Sequence, residues 1–406
     1  MPLDVAWVRA QFPGLSRELA FFENAGGSLP ASSVVEAIAR YLREDMVQLG
    51  ATYPRSARAT ERVYAGLDAA RELVGAGEDE VALTSSSTIS AHLLASAFAH
   101  RVAPDDEIVV TDLDHECNRG AWIRMAERRG ARVVTWRVDP ERAALTMEGL
   151  DAALSERTRL VAFTHCSNVV GTIHDAAALV ARVHSAGARA VIDGVAYAPH
   201  RYVDVGAIGA DAYLVSLYKV FGPHLGLLHV APGFRAELEG QNHAFLAGSG
   251  MGELMPGSVP HELAAGVPGI VAYLEALDRH HGGEGNVAGA FERIAEREAT
   301  LIEPVLTLLR EHPRVRVLGE PSSDARVRVC TVTFTVEGSR PSEVVAALDA
   351  EGVATRHGHF YAPAAMPGLG ISDITQGVVR ISGLHYDDDE DVRRLLVALE
   401  RALRVA

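Results

Sequence analysis

The chain is almost without lysine. Of its 38 Lys and Arg residues one is a lysine, Lys219, and the other 37 are arginine. A composition this averse to lysine would replace any lysine that needed only to be positive. Arginine stays charged and forms no imine, so it cannot stand in where an amine nucleophile is required. The survival of one lysine in 406 residues therefore marks Lys219 as a chemical group and not as a solvated surface charge.

Other absences narrow the class. Cys117, Cys166 and Cys330 are too few and too scattered for a disulfide framework or a zinc site. No stretch reaches the roughly 18 consecutive apolar residues of a membrane span. The Met1-Pro2-Leu3-Asp4 start lacks a basic region followed by an apolar one, which points to a cytoplasmic address. No basic block offsets the formal charge of −15, and this argues against nucleic acid or an anionic membrane as a partner. Neither a low-complexity tract, an internal repeat nor a disordered linker is present. The remainder is a globular composition, 48% hydrophobic and 22% charged, long enough for one large core and a second, smaller one.

From about residue 80 to 230, β-rich runs alternate with helical patterns. Val81–Leu83, Glu107–Thr111, Arg132–Val138, Arg159–Thr164, Ala188–Ile192, Ala212–Val215 and Gly226–Val230 read as seven strands. Ala91–Arg101, Asn118–Arg128 and Ala176–Ser185 read as amphipathic helices between them. That alternation predicts an α/β fold with a mainly parallel sheet covered on both faces. A helix is predicted near Ala264–Leu277 and another over Ala288–Glu311. The rhythm then changes to strands at Val315–Leu318 and Val327–Val336, a helix at Pro341–Ala350, a strand at Val378–Ser382 and a closing helix at Asp387–Arg404. The expected organisation is an N-terminal segment, 1–20, packing with the small domain, a large domain, 21–285, and a small α+β domain, 286–406.

Chemistry gathers where the predicted strands end. Lys219 follows the strand Ala212–Val215 and the small hydroxyl residue Ser216, with Gly222-Pro223 beyond it. Ala190-Val191-Ile192-Asp193 is another apolar strand, ending in a carboxylate. In a parallel sheet both ends face one crevice, where such folds place ligands. An amine and a carboxylate on one rim suit pyridoxal phosphate, the lysine forming a Schiff base and the aspartate pairing with the pyridinium nitrogen.

Three other turns join them. Thr84-Ser85-Ser86-Ser87-Thr88 opens a helix, whose free N–H groups and dipole favour an anion, although Ser and Thr are also ordinary N-caps. Asp114-His115-Glu116-Cys117-Asn118 offers an imidazole able to lie flat on a pyridine ring, and the plain alternative is a surface histidine. Thr164-His165-Cys166-Ser167-Asn168 offers Asn168 as a donor to the cofactor's phenolic oxygen or to a substrate carboxylate, or simply as a turn residue.

In this order the pieces resemble the class V aminotransferase group of fold-type I pyridoxal-phosphate enzymes, in its cysteine desulfurase-like branch. The resemblance runs from Phe21-Phe22-Glu23-Asn24-Ala25-Gly26 almost to the C-terminus and is strongest at Thr164–Thr172, Ile192–His200 and Ser216–Gly226. It implies Lys219 as the Schiff-base lysine, Asp193 as partner of the ring nitrogen, His115 stacked on the ring and Asn168 near the cofactor's oxygen. Ser87, Thr88 and Ser216 would hold the phosphate, and Asn24 would face the substrate. Gly257-Ser258 resembles a loop reaching the phosphate from a neighbouring subunit, which implies a homodimer with shared sites. Arg380 matches the arginine that clamps the α-carboxylate of a small amino-acid substrate, a task suited to a guanidinium fork.

Three departures qualify the resemblance. The loop that carries a cysteine nucleophile in persulfide-forming desulfurases reads Arg356-His357-Gly358-His359-Phe360-Tyr361-Ala362-Pro363, with Tyr361 in the cysteine's place. A phenol cannot accept sulfur as a persulfide. Ala196 replaces the family's glutamine three residues after the aspartate, leaving Tyr197 as a substitute donor, and Tyr218 replaces the histidine before the lysine. The expected activity is therefore a C–S lyase acting by β-elimination without an enzyme persulfide. The alternatives are an aminotransferase, an amino-acid epimerase, or a non-catalytic binding protein. Arg356, His357, His359 and Tyr361 are expected to shape substrate choice, and no metal is expected at the His357/His359 pair.

Overall fold

The computed structural model describes residues 2–405. The chain opens with a short helix, Val5–Ala10, and a two-residue strand, β1 (Ala20–Phe21). Seven strands then build the large sheet: β2 (Val81–Thr84), β3 (Glu107–Thr111), β4 (Arg132–Trp136), β5 (Thr158–Thr164), β6 (Arg189–Asp193), β7 (Ala212–Ser216) and β8 (Gly226–Val230). Their spatial order is β2-β8-β7-β6-β5-β3-β4. All run in one direction except β8, which is antiparallel to both its neighbours. The seven-stranded, mainly parallel α/β sheet is thus the one the alternation predicts.

Alternate residues of these strands serve two cores, as a pleated backbone requires. Val109, Val161, Phe163, Ile192 and Val215 face one side. Ile108, Val110, Leu160, Val191 and Leu214 face the other, beneath the helices Ser87–Phe98 and Glu116–Arg129. Burial on both faces explains why the strands read as unbroken apolar runs.

Two long helices, Ser32–Glu44 and Pro54–Val74, lie outside the predicted elements. The second buries Ala59, Val63, Gly66, Ala70 and Leu73, a helical spacing written largely in small residues. Gly66 is required there, because a Cβ would lie 2.2 Å from the Ala264 carbonyl oxygen. The helix expected over Ala264–Leu277 is two pieces, His261–Ala264 and Pro268–His280, since Pro268 has no N–H to continue a ladder and begins the second piece.

The remaining strands are β9 (Val315–Leu318), β10 (Thr331–Val336), β11 (Val353–Ala354), β12 (Arg356–Gly358) and β13 (Val378–Ser382). Four of them form an antiparallel sheet in the order β12-β13-β10-β9, and β11 pairs in parallel with β1. Val332, Phe334, Val379, Ile381 and Leu399 make its core with residues of the Val287–Glu311, Pro341–Ala350 and Asp389–Val405 helices. The strand expected from Val327 begins only at Thr331. Val327 and Val329 instead pair through their backbones with Ile173 and Gly171, in the turn after β5.

The N-terminal segment touches both units. Phe12 packs on Phe221 and Tyr273, while Arg9 pairs with Asp391 at 2.5 Å. Ala20 and Phe22 lie in the small core, and Phe360, Met366 and Leu369 lie in the large one. Among the described residues no helix is long and apolar enough to cross a membrane.

A buried charge cluster joins the two sheets. Glu298, on the Val287–Glu311 helix, takes hydrogen bonds from His200 Nδ1 at 2.8 Å and from Arg201 Nη1 at 3.0 Å. Arg201 also donates to the carbonyls of Ala325 and Arg328, both at 2.9 Å. Removing one member of such a buried cluster leaves the others without a counter-charge. Glu298→Ala is expected to lower unfolding stability by about 3–5 kcal/mol, measured as a shift of the urea midpoint. A change below about 1 kcal/mol would mean that the cluster does not hold the units together.

Candidate active site

The crevice lies at the C-terminal ends of β3, β5, β6 and β7. The order of strands changes direction between β3 and β5, so the loops after these two diverge and leave an opening. Register then aligns the rim, with Thr164 beside Asp193 and Asp193 beside Leu214.

Lys219 closes a single 3₁₀ turn, Leu217–Lys219, directly after β7. The turn is pinned by Leu217 N–H to the Leu225 carbonyl at 2.9 Å and by Gly222 N–H to the Leu217 carbonyl at 3.0 Å. The side chain is 7% exposed and lines one pocket with Ser87, Thr88, His115, Asn168, Asp193 and Ser216. Burial, and secondarily the Arg380 guanidinium, push the amine down to about 8, against the pull of Asp193. A larger share of it is therefore free base at neutral pH than in an exposed lysine.

Asp193 is buried, with Oδ1 accepting from the Val195 N–H at 2.9 Å and Oδ2 lying 3.6 Å from the Cys117 Sγ. Burial raises its pKa, and this is the penalty that a cation brought beside it relieves. His115 caps the helix Glu116–Arg129, and its Nδ1 accepts from the Cys117 N–H at 3.1 Å. Burial, then the charges of Lys219 and Arg380, bring the imidazole down to about 4, so it is neutral at physiological pH.

The hydroxyl turn opens the Ser87–Phe98 helix, with Ser86 as the N-cap accepting from the Ile89 N–H at 3.2 Å. Ser87 and Ser216 share a hydrogen bond at 2.8 Å, joining the helix start to the end of β7. Gly226 makes that contact possible, because a Cβ there would stand 2.3 Å from Thr84 Oγ1 and 2.7 Å from the Ser87 nitrogen. The donor set fits pyridoxal phosphate: a helix N-terminus with hydroxyls for a dianion, a buried carboxylate for a ring cation and a partly deprotonated amine for an aldehyde.

Arg380 comes from the small sheet, in the middle of β13. It is 3% exposed and remains a cation, although burial lowers it to about 10. Nη1 donates to the Asn168 carbonyl at 2.9 Å, the Phe360 ring centre lies 3.8 Å from the guanidinium carbon, and Nε has no partner among the described residues. Asn168 commits one amide hydrogen to the Phe360 carbonyl at 2.8 Å. The Glu116 N–H donates to the Tyr361 carbonyl at 2.7 Å. Two site loops thereby clip the segment after β12 over the crevice. Phe360 and Tyr361 both have positive φ, +50° and +58°, a strained backbone held by these contacts. The Tyr361 ring is 63% exposed and 5.4 Å from that of His115.

Other expected site residues are placed differently. Asn24 donates both amide hydrogens, to the carbonyls of Phe21 and Ser382 at 3.0 Å each, and accepts from the Tyr386 hydroxyl. It has no donor left for a substrate and serves to tie the N-terminal segment to β13. Ser258 is exposed and outside the pocket of its own chain. Tyr197 stacks on His165, with centroids 3.7 Å apart, and is not the substitute donor for the glutamine position; Ala196 does line the pocket. Arg356 is largely exposed, with its guanidinium 3.6 Å from Glu23, and the partly buried His359 has an unpartnered Nδ1. Glu23 and Phe360 were the functional neighbours the sequence reading missed. Nothing local distinguishes them, since their partner Arg380 comes from another part of the chain.

All three thiols are buried, and burial raises each: Cys166 to about 12, Cys117 and Cys330 well above the ordinary range.

A lysine buried opposite a carboxylate at parallel strand ends, beside a hydroxyl-lined helix start, defines a pyridoxal-phosphate site. The comparisons agree. The profile of the Aminotransferase class-V family matches residues 20–395. An aminotransferase-like protein of Gibberella zeae, FGM3, is 39% identical over 405 residues, covering 98% of each chain. The cysteine desulfurase-like protein ustD of Aspergillus flavus is 31% identical, over 98% of this chain and 90% of its own length. The solved apo cysteine desulfurase of Thermococcus onnurineus superposes with a TM-score of 0.88 at 25% identity, covering 100% of this chain and 99% of the other. The chain belongs to the class V aminotransferase family and is a pyridoxal 5′-phosphate-dependent enzyme of its cysteine desulfurase-like group.

The lowered amine pKa has a direct test. Capture of pyridoxal phosphate by the cofactor-stripped protein is expected to rise with pH about a midpoint near 8, and not near the ordinary 10.5. Arg380→Gln removes a neighbouring cation that disfavours the ammonium form, so it is expected to move this midpoint upward. A midpoint that stays put in the variant would mean that the two groups do not sense each other.

Proposed function

We propose that the enzyme is a C–S lyase that eliminates a thiol or sulfide from Cβ of a small S-bearing amino acid without passing sulfur to a protein cysteine. The observation that carries this reading is the state of the thiols. Cys330 is enclosed in the small core, and Cys166 and Cys117, which line the pocket, are both buried, Cys117 with its Sγ toward Asp193. The residue over the opening is Tyr361, whose phenol forms no persulfide.

Each group has a task in such a reaction. Arg380 takes the α-carboxylate through the guanidinium edge that lacks a partner. Pyridoxal phosphate, when bound, supplies an aldehyde for the amine and a ring that accepts the electron pair from Cα. Ser87, Thr88 and Ser216 would hold its phosphate, Asp193 its ring nitrogen and His115 one face of its ring. The Lys219 amine, about half of it free base near pH 8, removes the Cα proton. With the cofactor in place, this proton removal would permit loss of sulfur from Cβ, the Lys219 ammonium would return its proton to the departing thiolate, and water would complete release of pyruvate and ammonia. Arg356, His359 and Tyr361 ring the mouth where the sulfur substituent would emerge. The exposed Gly257-Ser258 loop fits a homodimer in which it reaches the phosphate site of a second copy.

Incubation of the holoenzyme with cysteine and a panel of S-substituted cysteines is expected to give pyruvate with equimolar thiol or sulfide. Alanine with a trapped persulfide would overturn the reading. Build-up of pyridoxamine phosphate would favour transamination, the activity suggested by the name of the 39% identical relative. Lys219→Ala is expected to lower turnover by about 10²–10⁴-fold. A chain in which Cys117, Cys166 and Cys330 are all alanine is expected to keep releasing thiol, slowed severalfold by loss of the Cys117 contact to Asp193. Abolition in that chain would place a cysteine in the chemistry.

A further inference from the structure

Glu23 stands between two arginines, and no step of the reaction described above uses it. Its position is set by the backbone. Glu23 bridges in parallel to Ser382, and the Ser382 N–H donates to the Phe22 carbonyl at 2.8 Å. Residues 380 and 382 lie on one face of β13, so this pairing places Glu23 beside the face that carries Arg380. Arg356 reaches the same place from β12, where it is the cross-strand partner of Arg380.

One oxygen serves both cations. Glu23 Oε1 lies 3.5 Å from Arg380 Nη2 and 3.6 Å from Arg356 Nη1. Among the described residues it is buried without a hydrogen-bond donor, and Arg380 Nε is buried without an acceptor. The pairing is thus a charge contact in which neither partner is hydrogen-bonded to the other. Gly26 makes room for it, since a Cβ there would stand 2.3 Å from the same oxygen. The cluster carries two positive charges and one negative, leaving the charge that a single further carboxylate would balance.

We propose that Glu23 is an affinity-setting residue of the substrate-carboxylate site, an internal counter-ion that shares the arginine pair with the incoming α-carboxylate and limits how tightly it is held. An amino acid docking on the free Nε edge of Arg380 meets the Glu23 charge at close range, and like charges in a buried setting repel strongly. The device keeps two neighbouring guanidiniums from repelling each other in the free enzyme. It also keeps the site from being blocked by ordinary carboxylates. The inference rests on the reading of Arg380 as the carboxylate holder and not on the fate of the Cβ substituent.

The test uses the holoenzyme and propionate, a monocarboxylate with no amine and no leaving group, titrated calorimetrically. Glu23→Gln keeps the shape of the side chain and removes its charge. It is expected to bind propionate at least about tenfold more tightly, and to lower KM for an S-substituted cysteine in parallel with little change in kcat. Arg356→Gln leaves Glu23 to Arg380 alone and is expected to weaken propionate. Arg380→Gln is expected to abolish binding. Should Glu23→Gln fail to fold, Glu23→Asp draws the charge back by one methylene and is expected to tighten binding by a smaller factor. Unchanged or weaker propionate binding in the Glu23 variant, or full binding without Arg380, would overturn the proposal. Because propionate is not turned over, an enzyme that released no thiol would sink the lyase reading while leaving this measurement intact.

Discussion

An amine enclosed by protein at the end of β7 is the constraint around which the site is arranged. Enclosure disfavours the ammonium ion, and the Arg380 guanidinium adds to the effect, while Asp193 opposes it. The balance holds Lys219 near 8, where both protonation states are populated at working pH. A lysine in water would be charged and inert, and one among apolar side chains alone would never carry a proton away. Burial sets most of that position, a guanidinium from the small sheet lowering the amine further and a carboxylate from the large one raising it.

The architecture supplies that combination by placing strand ends together. β3, β5, β6 and β7 deliver His115, Asn168, Asp193 and Ser216 to one rim because parallel strands end on the same side. β13 enters from the small sheet with Arg380 in its middle, and the Glu298 cluster with His200 and Arg201 holds that sheet against the large one. The strained Phe360-Tyr361 turn then bridges the two, its carbonyls taken by Asn168 and Glu116 and its phenyl ring laid on Arg380. Arg380, the Asn168 turn, the start of the Glu116–Arg129 helix and the Phe360-Tyr361 segment are therefore coupled through short hydrogen bonds.

The family relationship and the site diverge in an informative way. Pairing of amine and carboxylate is retained, yet no thiol is exposed at the opening, and the histidine and glutamine positions are Tyr218 and Ala196. Tyr218 stacks on His224 with centroids 4.6 Å apart, which fixes the turn around the lysine. Tyr197 is turned away onto His165, so no side chain from this turn takes over the glutamine's hydrogen bond.

The meeting of Lys219, Asp193, His115, Asn168 and Ser216 in one pocket was legible in the primary structure, because each follows an apolar run of strand length. The seven strands were legible for the same reason: apolar runs of strand length mark them, buried almost throughout except in the edge strand β4, which is only partly covered. The helix Pro54–Val74 was not, because its contacts are made by small residues such as Ala59, Gly66 and Ala70, which leave a faint hydrophobic period. Asn24 and Tyr197 were assigned by position in a motif. Their hydrogen bonds and ring contacts go to Ser382, Tyr386 and His165, partners that position in a motif does not reveal.

Local order along the chain thus determined the sheet, the cofactor and the position of Lys219, since each depends on residues within a few positions of a strand's end. Only the tertiary structure decided that Glu23 shares Arg380 with Arg356 and that Phe360 covers the guanidinium. It also decided that every cysteine is enclosed. Those facts depend on distances between segments that lie from 20 positions apart (Phe360 and Arg380) to 357 (Glu23 and Arg380), which are set by sheet register and by the packing of two cores, and no local pattern encodes them.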